Sequence, residues 1–294
     1  MTQASRFRDL LGRDGMVVAP GAYDCITAKL VEQAGFAAVY MTGAGTAAAL
    51  GYPDFGLVTM SEMVANAGRL AAAIDVPVIA DADTGYGNEL NTFRAVREFE
   101  SRGVAAIHIE DQVFPKKCGH LEGKEIVSRE DWLAKIRAAA AARRDPDFTI
   151  IARTDARAVA GLDEAIARAN AALASGADMA FVEAPQTEDE IAAVPRLVKG
   201  PCLLNVVRGG KTPDIDLRHA EALGYKLAIV PGLLIKSVVG ICDKMLSELK
   251  ATHRHPPPIK EMTVPDMFRR FGADEWDALR ERFRTSSAAR EAAE

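Results

Sequence analysis

The sequence is short of positive charge, of cysteine pairs and of long apolar runs, and each shortage removes a class of function. Its 36 Lys and Arg against 41 Asp and Glu leave a net charge of −5. Nucleic acid and anionic membranes are therefore not expected partners, because both demand a basic surface. A small anionic ligand must instead meet positive charge locally, inside a site. No stretch reaches the roughly 18 apolar residues of a membrane span. Residues 1–13 mix Arg, Asp and Gln without the apolar run of a signal peptide or anchor. The four cysteines, Cys25, Cys118, Cys202 and Cys242, form no C-x-x-C pair. That argues against a zinc site or a disulfide framework, and for reduced thiols in a cytoplasmic protein.

What is present is one repeated unit: a short β-branched apolar run, a loop rich in Gly, Asp or Glu, then an Ala-rich amphipathic stretch. The runs lie at 16–20, 37–42, 76–83, 105–111, 148–154, 179–185, 202–207 and 227–231. Each is short and nearly continuously apolar, as parallel strands buried on both faces must be. Helices are expected at 61–73, 88–102, 129–142 and 162–175, with Gly35, Gly103, Gly176 and Gly224 as stop signals. Eight β-then-α units in 294 residues predict an α/β fold of the (β/α)₈ barrel type. The alternative, a doubly wound sheet, calls for G-x-G-x-x-G after the first strand, and Ala19-Pro20-Gly21-Ala22 does not supply it. The barrel is expected over residues 1–255. The Pro256-Pro257-Pro258 run then breaks the chain, and 256–294 should form a helical extension, with a helix at 274–283 and a polar tail from Thr285.

In a barrel the chemistry sits at the carboxyl ends of the strands. Those ends carry Asp81 and Asp83, Glu110 and Asp111, Arg153 to Asp155, Glu183 and Asn205. Asp81 and Asp83, two apart on one strand, should project to the same side. A single such Asp would be read as a helix cap. Several converging on one rim repel unless a cation intervenes, and an all-oxygen set suits Mg²⁺, with Mn²⁺ as the alternative.

The longest loop, 111–124, follows the fourth strand and has the length of a functional lid. Cys118 lies in it with Lys117 beside it and His120 two residues on. Cationic neighbours would favour thiolate and proton transfer, whereas the other three cysteines sit in helix or strand patterns and should only pack. The small residues Thr42-Gly43-Ala44-Gly45 would let backbone N–H groups approach a carboxylate. Tyr40 faces either the pocket or the barrel interior, and His108 is expected to be a hydrogen-bonded core histidine.

Together, Lys116-Lys117-Cys118-Gly119-His120, Asp81-Ala82-Asp83-Thr84-Gly85-Tyr86-Gly87, His108-Ile109-Glu110-Asp111-Gln112 and Ala152-Arg153-Thr154-Asp155 resemble the motifs of the isocitrate lyase/phosphoenolpyruvate mutase superfamily. The likeness runs from about Phe7 to at least Pro231 and is to the short bacterial branch that includes methylisocitrate lyase, 2,3-dimethylmalate lyase and oxaloacetate hydrolases. It implies a homotetramer whose last barrel helix is exchanged between subunits. It implies Mg²⁺ near Asp81, Asp83 and Glu110, with Asp54 helping to order it. It implies Cys118 as acid/base on the loop, Lys116 and His120 as further catalytic residues, and Tyr40 as base for a substrate hydroxyl. Substrate binding then falls to Thr42, Gly43, Ala44, Gly119, Arg153, Glu183 and Asn205. The expected reaction is retro-aldol cleavage of a 2-hydroxy di- or tricarboxylate into a 2-oxo acid and a carboxylic acid. Oxaloacetate decarboxylation or hydrolysis is the alternative, followed by phosphonate chemistry and by a non-catalytic binding barrel. The chain departs from methylisocitrate lyases after the eighth strand, where Lys236 stands in place of an arginine. Lysine lacks the bidentate fork for a third carboxylate. Phe55, Tyr86 and Leu233, with a neighbouring subunit as a further contributor, are the expected walls for the substrate's side group.

Overall fold

The eight apolar runs pair in chain order into a closed parallel barrel: β1 (Val17–Ala22), β2 (Val39–Met41), β3 (Val78–Asp81), β4 (Ala106–Glu110), β5 (Thr149–Thr154), β6 (Met179–Val182), β7 (Cys202–Asn205) and β8 (Leu227–Val230). The computed structural model describes residues 1–291. The barrel expected from the sequence is therefore present, with further helices beyond it. Nearly every strand residue is buried, because helices cover the outer face and side chains fill the inside.

Helix ends follow local chemistry. Asn88 caps Glu89–Ser101, Thr59 caps Met60–Ala73 and Ser128 caps Arg129–Ala142, each accepting a hydrogen bond from an otherwise unpaired N–H of the first turn. The four expected stop glycines all have positive φ: 87° at Gly35, 78° at Gly103, 106° at Gly176 and 103° at Gly224. The amino-terminal helix is among those the sequence did not lead one to expect. Gln3–Gly12 places Phe7, fully buried, among Val17, Ala38, Ala105 and Leu227, residues at or just before the starts of four strands. It thereby closes the amino-terminal end of the barrel.

Register does most of the work of building the other end. The β3–β4 pairing sets Asp81 beside His108, and the β4–β5 pairing sets Glu110 beside Arg153. One expectation is corrected here. Asp83 is not on the strand with Asp81; β3 ends at Asp81, and Asp83 has φ 46°. Its carboxylate reaches the rim because the chain turns through the left-handed region, which Asp tolerates better than most residues.

By internal contacts the chain divides into two compact units, Met1–Val239 and a second beginning at Gly240. The helix Leu233–Thr252 contains no buried residue. Within the second unit, Val264–Arg269 and Ala273–Glu291 are helical, so helix replaces the polar tail expected from Thr285 as far as Glu291. The rest of that expected tail, 292–294, lies outside the described residues. Among the described residues no helix is long and apolar enough to cross a membrane.

The stop glycines make a graded test. A Cβ at Gly35 meets nothing within 4 Å, whereas one at Gly176 would come 2.7 Å from Ala140 Cβ. Gly35→Ala should cost about 1–2 kcal/mol from left-handed backbone alone. Gly176→Ala should cost more, because steric overlap adds to the same backbone term. Urea unfolding midpoints compare the two, and equal losses would contradict the packing described.

Candidate active site

The carboxyl ends of the strands enclose a cavity of about 190 Å³. Tyr40, Thr42, Ala44, Asp54 and Asp81 line one side, and Arg153, Glu183 and Asn205 the other. Cys118, Gly119 and His120 reach it from the long loop. A larger hollow of about 340 Å³, bordered by Thr59, Ser61, Asn91 and Arg94, gathers no comparable set of acids and bases.

Arg153 is the centre of the charge pattern. Its Nη1 lies 3.1 Å from Glu110 Oε2, its Nε donates to Asp155 Oδ2 at 3.0 Å, and its Nη2 is 3.5 Å from Glu183 Oε2. The guanidinium also rests over the Phe181 ring, 5.2 Å from its centroid. Burial works against its charge, but Asp155, Glu110 and Glu183 outweigh that and fix it as a cation. Asn205 Nδ2 donates to both oxygens of Glu183, at 3.2 and 3.3 Å.

The acidic set draws in a second cation. Lys116, almost wholly buried, puts its ammonium against Asp54 and 2.9 Å from Asp83 Oδ1. Burial would lower it, yet Asp83, Asp81, Glu110 and Asp54 raise it well above the ordinary lysine value. Asp83 and Glu110 are pushed up by burial, whereas Asp81 is held low, because Lys116 and Arg153 overcome its desolvation. His108 is also among the groups lowering Asp81. Its own value is pressed to about 4 by burial, so at neutral pH it is uncharged and that help vanishes.

These residues fit a hard divalent cation in one mode only. Among the described residues, no three carboxylate, His or Cys side chains converge closely enough to ligate a metal by themselves. Glu110, however, leaves both carboxylate oxygens without a hydrogen-bond partner in a fully buried place. Buried oxygens of that kind suit an ion that is held directly by one or two carboxylates and keeps several waters.

The Cys118 loop is braced from both sides. Gln112 pairs with Ile126 across its base, and the Gln112 side chain holds both the N–H and the carbonyl of Lys117. His120 Nδ1 accepts from Lys211 N at 3.0 Å, and its Nε2 lies 3.2 Å from Glu183. Cys118 N donates to the Asp54 carbonyl at 3.2 Å. The expected electrostatics of the thiol are corrected by this packing. The Lys117 ammonium turns to the Gly123 carbonyl, and burial lowers His120 toward neutrality. Burial raises Cys118, with Asp54 and Glu183 adding to the effect, so it is held as a thiol rather than a thiolate.

Tyr40 points into the site. Its hydroxyl is 2.8 Å from His108 Nε2 and 3.4 Å from Asp81 Oδ2, and burial keeps it a neutral phenol. His108 is thus the hydrogen-bonded histidine expected, but its partner is a group of the site. Thr42 caps the helix Gly43–Ala49, and Gly43 lies so close under Asp81 that a Cβ there would overlap its carboxylate. The expected side-group walls are corrected too. Phe55 and Leu233 are about half exposed and Tyr86 borders the other hollow, while Val207, Pro231, Ile235 and Lys236 line the cavity. A gap in the polarity of the rim after β7 and β8 was the available signal. The roles of Lys124, Asp155, Asp111 and Arg168 were also missed; Arg168 Nη1 donates to Asp111, and Asp111 accepts from Asp155 N.

The family model described as phosphoenolpyruvate phosphomutase matches residues 7–250. The chain is 53% identical over 232 residues to 2,3-dimethylmalate lyase of Eubacterium barkeri, covering 79% of this chain and 80% of that protein. It is 44% identical over 242 residues to 2-methylisocitrate lyase of Aeropyrum pernix, covering 82% and 78%. A crystal structure of 2,3-dimethylmalate lyase, a PEP mutase/isocitrate lyase superfamily member, superposes with a TM-score of 0.91 at 40% identity, covering 95% and 94%. Oxaloacetate acetylhydrolase with 3,3-difluorooxalacetate gives 0.90 at 35%, covering 98% and 97%. Phosphonopyruvate hydrolase with oxalate and Mg²⁺ gives 0.87 at 30%, covering 96% and 99%.

The raised thiol has a direct check. Because its proton is retained to higher pH, alkylation of Cys118 by iodoacetamide, followed by peptide mass spectrometry, should still be climbing above pH 9, the value ordinary for a cysteine. A plateau reached by pH 8 would mean a stabilised thiolate.

Proposed function

Since this chain belongs to the phosphoenolpyruvate phosphomutase family of the PEP mutase/isocitrate lyase superfamily, whose members similar to it include carbon–carbon lyases, we propose that it cleaves an alkyl-substituted 2-hydroxy dicarboxylate of the 2,3-dimethylmalate kind. The observation that carries the choice of substrate is the far wall of the cavity. Val207, Pro231 and Ile235 are apolar, and the Lys236 ammonium is taken up by the Arg208 carbonyl at 2.6 Å. A methyl group suits that wall. A third carboxylate, as in 2-methylisocitrate, would find no guanidinium fork there.

Arg153 would take the carboxylate beside the hydroxyl carbon, with Asn205 and Glu183 ordering the hydroxyl and backbone N–H groups of Thr42, Gly43 and Ala44 meeting the other end. Tyr40 would accept the hydroxyl proton as it passes its own to neutral His108. The C2–C3 bond then breaks, its electron pair moves onto the departing carboxylate as an enediolate, and C2 becomes the carbonyl of the 2-oxo acid. Cys118, a thiol at the edge of the cavity, would protonate C3 of the enediolate to give the saturated acid. One or two of Asp81, Asp83 and Glu110 would hold Mg²⁺, or Mn²⁺ in its place, directly and the rest through its waters, with Asp54 and Lys116 ordering the site. The ion, when bound, would neutralise charge developing on the substrate oxygens. Gly119 and His120 would seal the cavity over the substrate, since a Cβ at Gly119 would come 2.6 Å from Arg153 Nη2.

The test is 2-oxo acid release from 2,3-dimethylmalate, 2-methylisocitrate, isocitrate and oxaloacetate, with Mg²⁺ and with a chelator. Dimethylmalate should give the highest kcat/KM, chelation should abolish release, and Cys118→Ser should lower kcat by about 10²–10⁴-fold. Turnover of oxaloacetate alone would favour the hydrolase or decarboxylase reading, which the likeness to oxaloacetate acetylhydrolase supports.

We further place the enzyme in the cytoplasm as a homotetramer with its last helices exchanged between subunits. The support is the apolar surface left open beyond Val239, where Leu246, Ile259, Phe268 and Trp276 are each more than half exposed. Light scattering should return four times the chain mass of 31.5 kDa; a monomer would sink this assembly.

A further inference from the structure

Lys124 lies on the returning limb of the loop, where a lysine beside a glycine would ordinarily reach into solvent. Its side chain is instead 2% exposed. The ammonium donates to the Gly119 carbonyl and, at 2.9 Å, to Asp155 Oδ1. Those two partners belong to different parts of the site. Gly119 is the loop residue seated on Arg153 and Glu183, too close to admit a Cβ. Asp155 is the carboxylate that takes Arg153 Nε at 3.0 Å and lies 3.4 Å from its Nη2. One buried carboxylate is therefore shared between a cation of the barrel and a cation of the loop.

We propose that Lys124 is a positioning residue that couples seating of the Cys118 loop to the readiness of Arg153 for a substrate carboxylate. With the loop seated, Lys124 offsets part of the charge of Asp155, and Arg153 keeps its Nη atoms turned toward Glu110, Glu183 and the cavity. If the loop lifts, Lys124 leaves with Gly119. Asp155 then has Arg153 as its remaining side-chain cation among the described residues, and an uncompensated buried carboxylate is costly enough to draw the guanidinium onto itself. Coupling of this kind is reciprocal, so a carboxylate on Arg153 favours the seated loop by the same free energy that the seated loop adds to its binding. The coupling rests on the reading that Arg153 receives a substrate carboxylate; the contacts of Lys124 with Gly119 and Asp155 do not.

The deciding measurement is the alkylation rate of Cys118, normalised to free glutathione alkylated in the same mixture and followed across pH. A change in thiol acidity would move the midpoint, whereas a change in loop seating moves the limiting rate. Lys124→Met should raise the limiting rate at Cys118 about tenfold, equivalent to about 1.4 kcal/mol of lost seating, and Lys124→Arg should restore most of the protection. Oxalate with Mg²⁺ should slow Cys118 alkylation in the wild type and do so far less in Lys124→Met. In turnover, the Met variant should show both a raised KM and a lowered kcat. A Met variant with wild-type Cys118 rates, with and without oxalate, overturns the proposal. If that variant does not fold by circular dichroism, Asp155→Asn removes the shared carboxylate instead, and unchanged Cys118 exposure in it is equally decisive. Because alkylation needs no turnover, a protein that cleaves none of the substrates yet exposes Cys118 in Lys124→Met keeps the coupling and loses the reaction.

Discussion

Six carboxylates, those of Asp81, Asp83, Glu110, Asp111, Asp155 and Glu183, are buried at one end of this barrel. No arrangement of strands can hold them there unless cations are buried with them, because an ionised carboxylate removed from water without a partner either costs several kcal/mol or takes up a proton. Arg153 and Lys116 supply that compensation inside the rim, Arg168 supplies it to Asp111 behind it, and Lys124 brings it to Asp155 from the loop. Replacing any one of these cations would change the protonation or position of its neighbours before it changed a contact with substrate. The oxygens of Glu110, one of them 3.1 Å from Arg153 Nη1 but neither in a hydrogen bond, mark where the compensation within the protein stops short.

The same balance decides what the loop cysteine can do. A thiol flanked in sequence by Lys117 and His120 suggests a nucleophile. In the fold, Lys117 turns outward, His120 is pressed toward neutrality, and the charges nearest Cys118 include those of Asp54 and Glu183. Such surroundings favour a proton donor over a thiolate, so the chemistry of the site can rest on proton delivery without a covalent intermediate.

The barrel was legible in the sequence because burial on both faces leaves a periodic trace: continuous apolar runs, Ala-rich amphipathic stretches and glycines where helices stop. The rim was legible for a related reason. A strand that must be apolar along its length but ends in Asp81, Glu110 or Arg153 announces where it meets the site. Asp83 misled because backbone φ is invisible in residue identity, and the two-residue spacing implied a strand that had already ended. Phe55 and Leu233 were poor choices of wall because size does not reveal whether a side chain faces a cavity or solvent. The pairing of Lys124 with Asp155 joins residues 31 apart, and no local pattern in either segment points to the other. The Tyr40–His108 contact spans 68 residues and escaped for the same reason.

Charged rim and side-group wall come from different parts of the ring. The acids, Arg153 and the cysteine loop derive from β2 through β6 and the segments that follow those strands, whereas Val207, Pro231 and Ile235 follow β7 and β8. None of those three carries a charge that balances the buried acids. A change of side chain at those three positions therefore alters the wall of the cavity without removing a charge from the rim. A mutagenesis library confined to those three positions would explore new substrates without first breaking the reaction.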